Sequence, residues 1–291
     1  MIKSIQIAYY ELFELKCQLA AKAGFRHISV NFHDMVDFSD RAFDAAPDHI
    51  QAILEKTGLT AVQTHLPYYS LLISAEELYD DFERKLHRSI EVGSKIGAFW
   101  NVYHPRSAIN ADFSTAASFE INKRVISGYL ETAAKFGGGV ALENLPIFGF
   151  MPIMPFYSFD YHDLCQLHDA FATDNVGICW DTGHANQMRF DQVRALRAVG
   201  HRLKNTHIND NHYGTRDEHL QPFMGTIDWF KVMAVLAEIG YDGDLAYETN
   251  QVGIKAKDEL QDAILRLTYE NGCYLMKIYD EALAKLNGDK E

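Results

Sequence analysis

Residues 176–184, VGICWDTGH, set a short apolar run in front of an aspartate, a Thr-Gly turn and a histidine. Gly177 to Trp180 have the length and composition of a buried strand, so Asp181 is a costly residue to place at its end unless its charge has a partner. The carboxylate either caps the turn that follows or holds a cation. Helical periodicity near 189–199 comes next, which makes the segment one βα unit.

The same unit recurs in both directions from this point. IQIAYY, HISVNF, TAVQTHLPYY, FWNVYHP and GVALENLP lie upstream, each followed by a stretch of helical periodicity. Downstream, LKNTHIND precedes the helical IDWFKVMAVLAEIG, and GDLAYET leads into a long amphipathic helix from about 258 to 286. Several helices end on glycine, as in AKAGF, EKTGL, SKIGA and AEIGY, where a left-handed residue passes the chain to the next strand. Eight strands alternating with eight helices, with no Pro/Gly/Ser-rich break, predict a single (β/α)8 TIM barrel over residues 1–291. A doubly wound sheet would want a glycine-rich turn after the first strand, and AYYELF has no glycine.

Composition narrows the class of function. Apolar residues make up 47% and charged residues 23%, which suits a globular protein and excludes disorder. A net charge of −13 opposes broad binding to nucleic acid or to anionic membranes. The four cysteines, Cys17, Cys165, Cys179 and Cys273, form no C-x-x-C pair, so a reducing cytoplasm is the expected setting. The N-terminal stretch mixes charges into its apolar residues and lacks the form of a signal peptide, and no run is long enough to span a membrane.

In a barrel the residue closing each strand faces the active-site rim. Here those residues are His65, His104, Glu143, Asp181, His207 and Glu248, at intervals of 39, 39, 38, 26 and 41 residues. A lone histidine at a strand end is usually a hydrogen-bonded rim residue, and Asp181 alone could be a cap. Six imidazoles and carboxylates converging on one rim would repel and desolvate one another without a cation, and a divalent metal resolves the conflict. His184 in DTGH, and Asp217 with His219 in RDEH, lie on adjoining loops. An extended chain through DEH would turn both of its side chains toward one ion.

At these residues the chain resembles the xylose isomerase-like TIM-barrel superfamily, which includes ketose 3-epimerases, hydroxypyruvate isomerase-like and inosose dehydratase-like proteins, and endonuclease IV. LEN, WDTGH, THIND, GTIDW and YDGDLAYET carry the resemblance, which covers nearly the whole chain. It implies that Glu143, Asp181, His207 and Glu248 hold a divalent metal, Zn2+ or Mn2+. The wider donor set of endonuclease IV, which holds three zinc ions, matches His65, His104, His184, Asp217 and His219. Between one and three ions per chain are therefore expected.

The resemblance implies a metal-dependent sugar or sugar-phosphate isomerase or epimerase. Such an enzyme abstracts a proton next to a ketose carbonyl and passes through a metal-stabilised enediolate, with Glu143 and Glu248 as acid and base. His65, His184 and Arg216 would bind the small-molecule sugar. The alternative is a multinuclear zinc phosphoesterase of the endonuclease IV type. Against it stand the acidic charge and the segment at 147–159, apolar and aromatic, which suits a lid over a small molecule or a contact between identical subunits in a homo-oligomer.

Overall fold

Ile5 and Ile7, Ile28 and Val30, and Leu245 and Tyr247 are buried in one continuous apolar layer, whereas Ser4, Gln6, Ser29, Asn31 and Asp244 alternate with them and are buried elsewhere. Alternation of this kind belongs to strands with helices on one side and something other than helices on the other. In the computed structural model, which describes residues 1–68, 76–108, 115–146, 157–212, 217–249 and 260–288, the strands close into a parallel barrel. They are β1 (Ile2–Ala8), β2 (His27–Asn31), β3 (Thr60–His65), β4 (Trp100–Tyr103), β5 (Gly139–Glu143), β6 (Val176–Asp181), β7 (Leu203–Ile208) and β8 (Asp244–Tyr247). Each pairs with the next, and β8 returns to β1 with Ile2 opposite Asp244. The expected (β/α)8 barrel is the observed one.

The helices surround it as α1 (Phe13–Ala23), α2 (Asp40–Thr57), α3 (Glu76–Lys95), α4 (Thr115–Lys135), α5 (Tyr161–Asp169), α6 (Thr182–Gln187), α7 (Gln192–Val199), α8 (Trp229–Glu238) and α9 (Gln261–Gly288). Gly24 and Gly58 end α1 and α2 in the left-handed conformation, at φ 114° and 69°, where a side chain would be strained. Two details differ from expectation. The single helix anticipated near 189–199 is α7, and a separate short helix, α6, starts directly at the end of β6 because Asp181 caps it. The C-terminal helix runs from Gln261 to Gly288, with 258 and 259 outside the described residues. No helix among the described residues is long and apolar enough to cross a membrane.

The apolar core lies between barrel and helices, and truncating a buried leucine or isoleucine there should cost about 2–5 kcal/mol. The barrel interior is different. Val102, Ala141 and Cys179, from β4, β5 and β6, make a small apolar cluster on one side. On the other side Asp244 accepts hydrogen bonds from Ser4 Oγ (3.0 Å), Gln63 Nε2 (2.9 Å) and Asn205 Nδ2 (3.0 Å), joining β1, β3 and β7 to β8. Because β3 and β8 are not neighbours, the Gln63 bond crosses the interior. Burial pushes the Asp244 carboxyl up, against the hydrogen bonds of Ser4 and Asn205.

Candidate metal centre

The strand ends bring the expected donors to one end of the barrel. His65, Glu143 and Asp181 are the last residues of β3, β5 and β6; His207 is the penultimate residue of β7; His104 and Glu248 follow β4 and β8 directly. Glu143, Asp181 and His207 are fully buried, and His65, His184 and Glu248 nearly so.

His207 stands between the two glutamates, with Nδ1 3.2 Å from Glu143 Oε1 and 3.2 Å from Glu248 Oε1. On the other side of Glu143, Oε2 lies 3.3 Å from His65 Nε2 and 3.0 Å from His104 Nε2, and these two nitrogens are 3.1 Å apart. The ligand atoms of His65, His104 and Glu143 fall within 4.8 Å of one another, as do those of His65, His207 and Glu248, and of Glu143, Asp181 and His184.

Backbone carbonyls orient several of these rings. His65 Nδ1 donates to the Leu66 carbonyl at 2.8 Å, which leaves its Nε2 lone pair facing Glu143 and His104. His184 Nδ1 donates to the Asn144 carbonyl at 2.9 Å, so although this nitrogen is 3.3 Å from Glu143 Oε1, it is Nε2, 3.5 Å from Asp217 Oδ2, that is left for a proton or a metal. A histidine that gives one N–H to a carbonyl and points the other nitrogen inward is arranged as metal-binding histidines are. His184 therefore pairs with Asp217 more naturally than with Glu143.

Asp181 serves two structural partners at once. Oδ1 accepts the His184 backbone N–H at 2.7 Å and Oδ2 accepts from Asn209 Nδ2 at 2.8 Å. Capping and membership of the donor cluster coexist in this residue. The RDEH loop departs from the extended form expected of it: His219 has a positive φ of 49°, and its ring folds back onto Asp217, Nε2 to Oδ2 at 2.8 Å, while Nδ1 donates to the Glu248 carbonyl at 2.6 Å. The two side chains meet by pairing with each other. Arg216 and residues 147–156 of the apolar segment lie outside the described residues.

The electrostatics show a demand for positive charge. Burial opposes the charge on Glu143, yet His207 and His104 hold its carboxyl well below the usual carboxylate range. Burial also disfavours a charged His207 or His184, but Cys179, Glu248 and Glu143 hold the first well above the usual imidazole value, and Asp181 and Asp217 do so for the second. Asp181 is pushed up to about 6 by burial, with His184 opposing the rise and Glu143, Glu248 and Asp217 adding to it. Protons on the histidines thus take the part a cation would play.

Whether the residues fit a metal can be tested on their unsatisfied atoms. Both carboxylate oxygens of Glu143 and both ring nitrogens of His207 are buried without a partner in hydrogen-bond geometry among the described residues. Their contacts are ion-pair distances without hydrogen-bond direction. A mixed nitrogen and oxygen donor set with orphaned lone pairs fits a divalent cation.

Neutral side chains complete the site, and sequence patterning did not single them out. Asn144 brackets Asp181, donating from Nδ2 to its carbonyl (2.9 Å) and accepting its N–H (2.7 Å). Tyr68 stacks between His33 and His104, with ring centroids 3.8 and 4.6 Å away. Gln6 donates to Glu248.

Comparison with known proteins adds the following. The family model described as xylose isomerase-like TIM barrel matches residues 17–269. An uncharacterized protein of Methanocaldococcus jannaschii, MJ1311, is 32% identical over 146 residues, 48% of this chain and 47% of that protein, so the match spans about half of the relative's length. Ketose 3-epimerase of Arthrobacter globiformis is 24% identical over 253 residues, covering 83% of this chain and 78% of the epimerase. A solved D-tagatose 3-epimerase-like protein superposes with a TM-score of 0.75 at 19% identity, covering 97% of this chain and 99% of that one, a likeness of fold.

Proposed function

This chain belongs to the xylose isomerase-like TIM barrel family, and on that footing we propose that it is a divalent-metal-dependent sugar or sugar-phosphate epimerase or isomerase. The observation that carries the proposal is the placement of Glu143 and Glu248 on either side of His207, each with an oxygen 3.2 Å from the same ring nitrogen. Two carboxylates from different strands that converge on one point can supply the acid and the base for a substrate carbon bound beside them. Likeness to a ketose 3-epimerase over most of the chain supports the same chemistry.

In this reading Glu143, Asp181, His207 and Glu248 hold one Zn2+ or Mn2+ ion, which when bound supplies Lewis-acid polarisation of a ketose carbonyl. The chain's own residues do the rest. One glutamate takes the proton from the carbon beside the carbonyl and the other returns a proton to the opposite face. His65 and His184, whose Nε2 atoms face the cluster, bind substrate hydroxyls, and Tyr68 covers the mouth beside His104. Arg216 is proposed as a further substrate contact from the loop after β7.

A second reading has a specific observation behind it. His65, His104 and Glu143 form one donor group, and His184, Asp217 and His219 another, beyond what a single ion needs. That surplus favours a multinuclear zinc phosphoesterase of the endonuclease IV type, in which the same barrel would act on a phosphodiester.

Elemental analysis of protein purified without chelator separates the two. About one ion per chain, with solvent deuterium entering the position next to the carbonyl of a ketose incubated in D2O, is the expected result. Three zinc ions per chain, with chelator-sensitive nicking at abasic DNA, would replace the proposal by the second reading.

A further inference from the structure

No metal-donor candidate was expected on β1 or β2, yet these strands place two neutral amides in line with Glu248. Gln6 and Asn31 are buried on the interior side of the barrel. The backbone N–H of His33 can only donate, and it donates to Asn31 Oδ1 at 2.7 Å. Asn31 Nδ2 is thereby turned toward Gln6 and donates to its Oε1 at 3.1 Å. Gln6 Nε2 is then the atom that faces Glu248, and it donates to Oε1. Each amide is oriented by the partner before it, and the direction originates in a group that carries its hydrogen in every state of the protein.

We propose that Asn31 and Gln6 form a one-way hydrogen-bond relay that holds Glu248 Oε1 as an acceptor and leaves Oε2 as the oxygen that exchanges a proton with substrate. The role of Glu248 as proton carrier rests on the function proposed above; the relay itself does not. The two oxygens have different surroundings. Oε1 is shared between Gln6 and His207, whereas Oε2 stands 3.8 Å from His219 Nδ1, a nitrogen already given to the Glu248 carbonyl. A carboxylate so divided keeps one oxygen for position and one for chemistry. Gln6 and Asn31 are positioning residues, acting through Glu248.

The test reverses the direction of the relay. In Asn31→Asp the new carboxylate keeps the His33 bond but carries no hydrogen for Gln6. The Gln6 amide must then turn, presenting its oxygen to Glu248 so that acceptor faces acceptor. In Asn31→Asp/Glu248→Gln the new amide at 248 can turn in its own right and donate to Gln6. Thermal unfolding of the full chain in excess chelator gives the cycle without any assay of turnover. Asn31→Asp alone should lower Tm by about 4–8 °C, and by less than half of that in the Glu248→Gln background.

Equal losses in the two backgrounds overturn the relay. If Asn31→Asp alone does not fold, a folded double variant supports the proposal and an unfolded one overturns it. With a turned-over ketose in hand, Gln6→Leu should reduce kcat about 10-fold or more and leave KM within about threefold. Equal changes in both would leave Gln6 as packing only and overturn its positioning role. Failure of the wild type to turn over any ketose would count against the proposed function while leaving the Tm cycle to decide the relay.

Discussion

Asp181 Oδ1 accepts the backbone N–H of His184 at 2.7 Å, so the residue that closes β6 also caps the helix carrying the next metal-donor candidate. The two residues are coupled through the backbone, and their side chains have different hydrogen-bond partners, Asn209 for Asp181 and the Asn144 carbonyl for His184. Asp181→Ala should lose the tightly held ion together with the thermal stabilisation it confers, whereas His184→Ala should keep that ion and lose substrate affinity or a weaker second ion. Asp181→Asn keeps the cap, worth about 1 kcal/mol, and should still bind the ion at least about 10-fold more weakly. Elemental analysis after dialysis checks all three; equal metal content in wild type and Asp181→Ala would reduce Asp181 to a cap.

Gly183 has a reason to be glycine that lies across the site. A Cβ there would sit 1.8 Å from Asn209 Oδ1, and Asn209 is the residue holding Asp181 Oδ2 at 2.8 Å. Gly183→Ala should therefore cost about 1–3 kcal/mol in denaturant unfolding and weaken ion binding as well. Adding Asn209→Gly should restore stability without restoring affinity. Recovery of both would mean that Asn209 does not position Asp181.

These residues mark what patterning could see. An apolar run that stops at a charged residue announces Glu143 and Asp181, because solvation makes that placement costly in either case. The βα rhythm supplied the topology around them. Asn144, Asn209, Gln6 and Asn31 carry no charge, and an amide near a strand end reads the same whether it orients a carboxylate or faces water. Asp244 was hidden for another reason: preceded by YDG, it looks like part of a surface turn, and only barrel closure reveals that it points inward. The pairing of Asp217 with His219 depends on a positive φ at His219, which a residue other than glycine rarely signals in sequence.

Ion affinity should depend on pH through the protons the ion displaces. The Asp181 carboxyl, pushed up to about 6, must ionise to bind, so affinity is lost as pH falls below that value and this contribution levels off above it. His184 and His207, held well above the usual imidazole range, keep competing at higher pH. Calorimetric titration with Mn2+ should show a slope that becomes shallower by about one decade per pH unit on passing upward through about pH 6. Affinity that does not change between about pH 5 and pH 7 would remove Asp181 from the ligands.

Asp244 predicts a pH effect of its own. A carboxyl whose folded pKa is raised contributes stability below its unfolded value and loses that contribution as pH rises through the folded one. Asn at this position does not titrate. The cost of Asp244→Asn in urea unfolding of chelated protein should therefore shrink between about pH 4 and about pH 7. A cost that grows over that range would show the ionised carboxylate to be the favoured form, with the hydrogen bonds of Ser4, Gln63 and Asn205 outweighing burial.

The Asp244 cluster also has a meaning in time. Ser4 and Asp244 are separated by 240 residues, and Gln63 by 181, so a chain made from its N-terminus holds these two polar side chains long before the carboxylate that joins them to Asn205 exists. Docking of the last strand joins Ser4, Gln63 and Asn205 to one carboxylate in one event, and the Ser4 and Gln63 contacts are among the longer ones in sequence that the fold possesses. A chain ending at β7 lacks the carboxylate that Ser4, Gln63 and Asn205 share. Pairing of β8 with its two neighbours is accordingly the step that gives these buried side chains their shared partner.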